Sequence, residues 1–521
     1  MKGAVAAGHA LTAAAGARVL QEGGNAVDAC VAASFAAWVA ESPLTGPGAG
    51  GFALVLPASG RPARVADFFV ATPGLGRPVP PGAEMEAIDV GFGGDSETTQ
   101  VFNIGEASCA VPGAALGLEA VHARYGRLPW RELLQPAIEL ARGGLEMSRQ
   151  QAHLHAILDL ILRHADEGRR IYSRPDGSRL LPGDLLALPD LGRTLEQLAE
   201  EGAAALYHGD LGRALVEATG TSGAITVDDL AAYRVVWRRP VHAPFCGHEV
   251  VSNPPPSSGG ILIAYGLALL ERVARGAPGT AEAVISLAEV MREQTRVREE
   301  GFAAALRRGG LAQRLLSDDG IAAGVARVAA SLPGAAEPAP AGTTHVSAVD
   351  TDGNAASLSS STGSGSGVIV PGTGIHLNNM LGEYDLVAGG PALPGKRLTS
   401  MMAPTVVVGP DGPRLVVGSA GSVRLRGAIM QVIANVVAHG MSVGEAIHFP
   451  RVHVDEPHVH CEGGFDPAEL QRVEADGYDV VRWRRRNLFF GGTNAVEVKE
   501  GGELAAAGDE RRGGSGVVVA S

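Results

Sequence analysis

Thr343, Thr344 and His345 stand where a Pro/Ala/Gly-rich stretch, SLPGAAEPAPAG (331 to 342), gives way to an alternating apolar run. A hydroxyl is a weak nucleophile unless a base stands beside it, and a free α-amino group on the same residue can be that base. The unperturbed α-amino pKa of about 7.7 to 8.0 leaves a useful neutral fraction at pH 7, unlike a lysine at about 10.4. A threonine made N-terminal by cutting between Gly342 and Thr343 therefore carries nucleophile and base together. On strand propensity alone, the simpler reading is a β-branched residue that opens a strand.

Three other groupings could do chemistry. The run Gly46-Pro47-Gly48-Ala49-Gly50-Gly51 has the composition of a phosphate loop. A dinucleotide fingerprint needs a strand before it and a helix after it, and here the order is reversed, so a tight turn or close backbone approach is expected. Gly440-Met441-Ser442-Val443-Gly444 matches the nucleophile-elbow pattern. A helical pattern precedes it, however, so Gly440 suits a helix C-terminus and Ser442 with Glu445 a capping box. His448, His453, His458 and His460 lie near Asp455 and Cys461. Their spacing is too loose for a metal-ligand pattern, and no metal or other cofactor is expected.

The elements that must position these residues change character along the chain. Residues 8 to 40 read as two Ala-rich helices broken at Gly23-Gly24-Asn25, and Gly50 to Pro57 as a buried strand. Helical periodicity dominates from Pro112 to about Arg275, with start signals at Ser148, ahead of one helix over QQAHLHAILDLILRHA, and at Thr226. A strand at His248 to Val251 leads through Pro254-Pro255-Pro256-Ser257-Ser258-Gly259-Gly260, a rigid turn, into another helix. Helical runs end near Ala330, and 331 to 342 reads as an exposed connection. Strands then take over: TTHVSAVD and AASLSSST around an Asp-Gly turn, APTVVVG and RLVVGSA, then a helix from about Arg426 to Ala438. No internal repeat is visible, and the order of elements suggests layered sheets covered by helices.

Composition excludes several classes. Of 521 residues 45% are hydrophobic and 19% charged, which fits neither disorder nor a charge-rich coiled coil. The 72 glycines follow no Gly-X-Y period, so collagen is excluded. A net charge of −13 argues against nucleic acid or an anionic membrane as partner. The four cysteines are far apart and form no C-x-x-C. With no leader pattern or apolar span in the sequence, a cytoplasmic location is the expectation.

Seven motifs in order give the chain a resemblance to the gamma-glutamyltranspeptidase family of N-terminal-nucleophile hydrolases. They are QEGGNAVDA (21 to 29), GAGGFALV (48 to 55), PPPSSGG (254 to 260), TTHVSAVDTDGNA (343 to 355), GIHLNNM (374 to 380), KRLTSMMAPT (396 to 405) and GSAGSVR (418 to 424). The resemblance implies an α+β, four-layer αββα sandwich, autoprocessed into two interleaved subunits, 1–342 and 343–521, that form one folded unit and a heterodimer, with higher oligomers open. It implies that Thr343 is both the autoprocessing and the catalytic nucleophile, with Gly342 donating the scissile carbonyl. Ser361 falls on a second family hydroxyl, and Gly421 and Ser422 on the pair whose amides form the oxyanion hole. Thr399 and Ser400 fall on the pair that holds a substrate α-carboxylate, and Glu383 on the acidic residue for the substrate α-amine. The implied reaction is transfer or hydrolysis of the γ-glutamyl group of glutathione-like amides, with water, an amino acid or a peptide as acceptor.

Two departures touch substrate choice. Where the family has an arginine for the α-carboxylate, this chain has Phe69, in Asp67-Phe68-Phe69-Val70. Either another cation such as Arg397 serves, or the acyl group is not an ordinary γ-glutamyl unit. Gly363 stands in place of a substrate-binding asparagine, in a Gly363 to Gly367 loop about two residues shorter than usual. The alternatives are therefore an amidohydrolase of the same fold acting on another acyl amide, of cephalosporin-side-chain or oxamate type, and an uncleaved, non-catalytic binding protein.

Overall fold

The computed structural model describes residues 2–78, 83–91, 99–298, 301–330, 342–387, 393–422 and 424–520. The connection read at 331 to 342 lies outside them except for Gly342.

Two antiparallel sheets face each other. The first has seven strands in the order Ser515–Val519, Gly3–Ala7, Thr344–Asp350, Ala355–Ser361, Gly50–Leu56, Arg64–Phe68 and Val236–Arg238. The second has six, in the order Leu504–Ala507, Gly492–Val498, Gly412–Ala420, Thr405–Gly409, His248–Ser252 and Val241–Phe245. Helices Ala10–Gln21 and Ala26–Ala40 cover the first sheet, and Gly259–Val273 and Arg424–Val437 cover the second. This is the expected four-layer αββα arrangement. Both sheets contain strands from before and after Gly342, so neither part of the chain has a core of its own.

Alternation along the strands explains the layers, because successive side chains point to opposite faces. In Thr344–Asp350, Val346 and Ala348 pack toward Ala26–Ala40, while His345, Ser347 and Val349 face the second sheet. In Ala355–Ser361, Ala356 and Leu358 join the helix-side core, and Ser357 and Ser359 face inward. The AASLSSS strand is thus fully buried despite its serines. Those hydroxyls are satisfied: Ser357 Oγ reaches Val417 O at 3.3 Å, and Ser347 Oγ reaches Asn494 O at 3.1 Å.

The helical starts follow the capping residues. Asn25, Ser148, Thr226 and Ser442 each cap a helix with a reciprocal bond to Asp28, Gln151, Asp229 and Glu445 respectively. The helix expected over residues 150 to 165 is instead two, Arg149–Ile157 and Asp159–Leu162, because Leu158 leaves helical geometry. Strand Gly3–Ala7 was not foreseen, since GAVAA carries no strand signal of its own. Its pairing with Val346 to Asp350 and with Ser515–Val519 is entirely non-local. The described cysteines are all free, and no described helix is long and apolar enough to cross a membrane.

Candidate active site

Thr343 immediately precedes the central strand Thr344–Asp350 and is 3% exposed. Register sets its neighbour: Thr344 pairs with Ser360, which brings Ser361, the last residue of the next strand, beside the Gly342-Thr343 peptide. Ser361 Oγ donates to Gly342 O and accepts the Gly363 N–H at 2.8 Å. The Gly342 N–H in turn donates to Gly363 O at 3.1 Å. A Cβ on Gly342 would lie 2.6 Å from that oxygen, so only glycine fits between Thr343 and this loop. The peptide bond preceding Thr343 is held by a hydroxyl on its carbonyl oxygen, as an acyl group about to be attacked should be.

On the other side of Thr343, Thr344 Oγ1 donates to Glu41 Oε2 at 2.5 Å, and Thr12 Oγ1 to Glu41 Oε1 at 2.8 Å. Burial raises the Glu41 pKa to about 6, against these bonds and the field of Arg512. His345 is not a catalytic base. Its ring lies between the sheets against Gly418, with Nδ1 2.8 Å from Ser359 Oγ and Nε2 2.9 Å from Ser347 Oγ, and burial lowers its pKa to about 3.

Gly421 and Ser422 form the turn beyond strand Gly412–Ala420. Both have positive φ, 127° and 55°, the second uncommon for a side-chain-bearing residue. Among the described residues neither N–H has a protein acceptor, which leaves two donors for an oxyanion at the cleft that Ser422 lines with Thr343 and Ser361.

The rest of that cleft is apolar. Phe69, Met380, Leu386, Met401, Met402 and Leu425 line it, with Ser400 and, among the described residues, one charged side chain, Glu383. Phe69 is 1% exposed and stacks on Phe52 with ring centroids 5.4 Å apart. Arg397 does not replace the missing cation. It lies outside this lining, where its Nε meets the Asp67 carboxylate at 3.2 Å, its Nη2 donates to the Asp67 and Arg234 carbonyls, and its guanidinium stacks 4.3 Å from the Tyr233 ring. Arg424, next to Leu425, stacks over Phe489.

Of the other expected substrate contacts, Ser400 lines the cleft, while the Thr399 hydroxyl donates to Leu386 O at 2.9 Å. Gly363 does not line it. With φ at 72°, it backs onto the Asn379 and Glu383 side chains, where a Cβ would lie 2.1 Å from Asn379 Oδ1. An asparagine would not fit, and the glycine lets the loop press against Glu383. The Ser-Ser of PPPSSGG, read only as part of a turn, has a further role. Ser257 and Ser258 both donate to Ser400 O at 3.0 Å and so hold the 399–402 segment against the cleft.

The remaining groupings are structural. A Cβ on Gly51 would lie 2.3 Å from Ser359 O, which makes the Gly46 to Gly51 run a close backbone approach. His453 and His460 pack on Phe489, Trp483 Nε1 donates to His460 Nδ1, and no metal-ligand cluster occurs among the described residues.

Comparison with known proteins agrees with this geometry. Residues 12–519 match the gamma-glutamyltranspeptidase family model. The chain is 34% identical to an acylase ACY 1 proenzyme of Pseudomonas sp. (strain V22), covering 99% of this chain and 94% of the relative. It is 31% identical to the glutathione hydrolase proenzyme of Escherichia coli K12, covering 98% and 90%. The crystal structure of a cephalosporin acylase from Bacillus halodurans shares the fold, with a TM-score of 0.84 at 24% identity over 99% and 96% of the two chains. A family match over nearly the whole chain, with the N-terminal-nucleophile fold around Thr343, shows that the chain belongs to the gamma-glutamyltranspeptidase family.

Proposed function

We propose that this protein is an N-terminal-threonine amidohydrolase whose acyl group lacks the α-carboxylate of a γ-glutamyl unit. The observation that carries this reading is the wall at Phe69: among the described lining residues the cleft has no cation, and Arg397 is turned onto Asp67 and Tyr233. A carboxylate moved from water to such a wall loses hydration with no charge partner. A hydrogen bond to a charged group contributes about 1.5 to 3 kcal/mol, so the missing arginine disfavours a γ-glutamyl donor by roughly 10- to 100-fold. Glu383 still favours an amino group on the acyl chain and repels a second carboxylate.

Activation begins with Thr343 Oγ1 adding to the Gly342 carbonyl carbon, polarised by Ser361. The C–N bond breaks, nitrogen takes the hydroxyl proton and becomes the Thr343 α-amine, and water hydrolyses the resulting ester to leave a Gly342 carboxylate. The two products are chains 1–342 and 343–521. In turnover the α-amine accepts the Thr343 hydroxyl proton as oxygen attacks the substrate amide. The Gly421 and Ser422 N–H groups receive the oxyanion, and the leaving amine departs with the proton. Water or an amine acceptor then repeats the sequence on the acyl-enzyme.

A second reading, hydrolysis or transfer of γ-glutamyl groups, draws support from Glu383 and from the similarity to a glutathione hydrolase proenzyme. Four nitroanilides separate the two: γ-glutamyl, 4-aminobutanoyl (no carboxylate), glutaryl (no amine) and butanoyl (neither). The proposal expects kcat/KM to be highest for 4-aminobutanoyl or butanoyl and lowest for glutaryl. Preference for γ-glutamyl over all three would establish the second reading instead.

A further inference from the structure

The two stretches of chain that bring Phe69 and Ser400 to Met402 to the catalytic cleft also bring Ala71, Thr72, Lys396 and Arg397 to a second and larger one. This cavity, of about 770 Å³, is lined by Arg234, Arg238, Arg307, Arg308, Lys396 and Arg397. In a protein with a net charge of −13 such a gathering runs against the average. The single carboxylate among the described lining residues, Asp229, is 3% exposed and already accepts the N–H groups of Gly74, Leu75 and Thr226 at 2.8 to 2.9 Å.

The cations are of two kinds. Arg238 and Arg397 are fixed: both meet the buried Asp67 carboxylate through Nε, at 2.7 and 3.2 Å, and Tyr233 holds the Arg397 plane. Two guanidinium groups on one carboxylate make this trio net positive. Arg307, Arg308 and Lys396 are exposed and make no ion pair among the described residues. Thr72, 8% exposed, lines the cleft with a hydroxyl that has no partner among the described residues. Leu75 and Leu393, 50% and 71% exposed, offer apolar surface at the rim.

We propose that this cleft is a binding site for a small organic anion carrying two or more carboxylate or phosphate groups. A concave surface lined by one sign of charge concentrates counter-ions. Fixed guanidinium forks match planar carboxylate and phosphate oxygens with little ordering left to do. The exposed cations close over a second charged group, the Thr72 hydroxyl donates to an oxygen, and the leucines cover the carbon skeleton. The site stands whichever acyl group the catalytic cleft accepts.

Calorimetric titration of the full-length, self-cleaved protein with citrate and with pyrophosphate, at ionic strength held constant with chloride, tests it. One saturable site per chain is expected for at least one of the two, and the tighter of them identifies carboxylate or phosphate chemistry. R307E/R308E is expected to weaken binding by about tenfold or more, as the loss of two charged partners should. Hydrolysis of a neutral acyl anilide should be unchanged in the variant. K396E supplies an independent surface substitution should the double variant misfold. Binding of neither anion above the chloride control, or affinity unaltered by these substitutions, would overturn the proposal.

Discussion

On the side of the cleft proposed to hold the nucleophile, Thr343, Ser361 and Gly421 stand at the ends of central strands, where sheet register fixes their separation. On the acyl side, Met380, Glu383 and Ser400 to Met402 sit on connections between elements, and Phe69 follows a strand near the sheet's edge. A one-residue change of register would disrupt every contact on the first side. A side-chain change on the second alters only what the wall accepts. In the proposed reading, the bond-breaking residues therefore stay with the family pattern while the acyl wall departs from it.

Removing the nucleophile should have the largest effect. T343A is expected to stay a single 53.3 kDa chain on denaturing electrophoresis and to lose all turnover, whereas wild type should give two fragments, the smaller beginning TTHVSAVD. An uncut, inactive wild type would instead favour the binding-protein alternative. Next in size, G421A should lower kcat by up to about 10²- to 10³-fold, the usual effect of losing an oxyanion donor, because alanine keeps the N–H but is strained at φ 127°, with its Cβ 3.0 Å from Gly491 Cα, and so swings that N–H out of line. S422G should stay close to wild type, because glycine adopts the same positive φ more easily. Equal loss in both variants would mean that the turn acts through the Ser422 side chain.

The Ser361 contact to Gly342 O predicts that S361A slows self-cleavage by roughly 10- to 100-fold and that S361T restores it. Time courses on freshly refolded precursor would read this, and unaltered cutting in S361A would remove the hydroxyl from the activation step. On the acyl side, F69R should raise the ratio of γ-glutamyl to butanoyl anilide hydrolysis by about tenfold or more, through the restored carboxylate partner. No change in that ratio would locate carboxylate discrimination elsewhere in the wall.

The smallest expected effect concerns pH. The folded-state pKa of Glu41 is raised to about 6 from 4.5, so its stabilising contribution is greatest at low pH and is lost as pH rises through that window. At about 1.4 kcal/mol per unit, the stability of wild type relative to E41Q should fall by roughly 2 kcal/mol between pH 4 and 7. Urea midpoints across that range would show it, and a rise instead of a fall would mean that Arg512 holds the carboxylate ionised.

Local chemistry was legible in the sequence because its signals are local. The break at Gly23-Gly24-Asn25, the capping boxes at Ser148, Thr226 and Ser442, and the Asp-Gly hairpin after Thr343 all depend on residues a few positions apart. Gly3–Ala7 was not legible, because only its two distant partners make it a strand. Arg397 offered a cation close in sequence to Thr399 and Ser400, but Asp67 and Tyr233, both far away in sequence, set its direction. The hold of Ser257 and Ser258 on Ser400 is equally long-range, although the Ser-Ser pair was a visible signal.

The central claim, that the acyl wall excludes an α-carboxylate while the threonine apparatus is intact, is tested most directly by one ratio. This is kcat/KM for the 4-aminobutanoyl anilide divided by that for the γ-glutamyl anilide on the self-cleaved enzyme, two substrates that differ only in that carboxylate. The missing cation at Phe69 predicts a ratio of about ten or more. A ratio below one would contradict it.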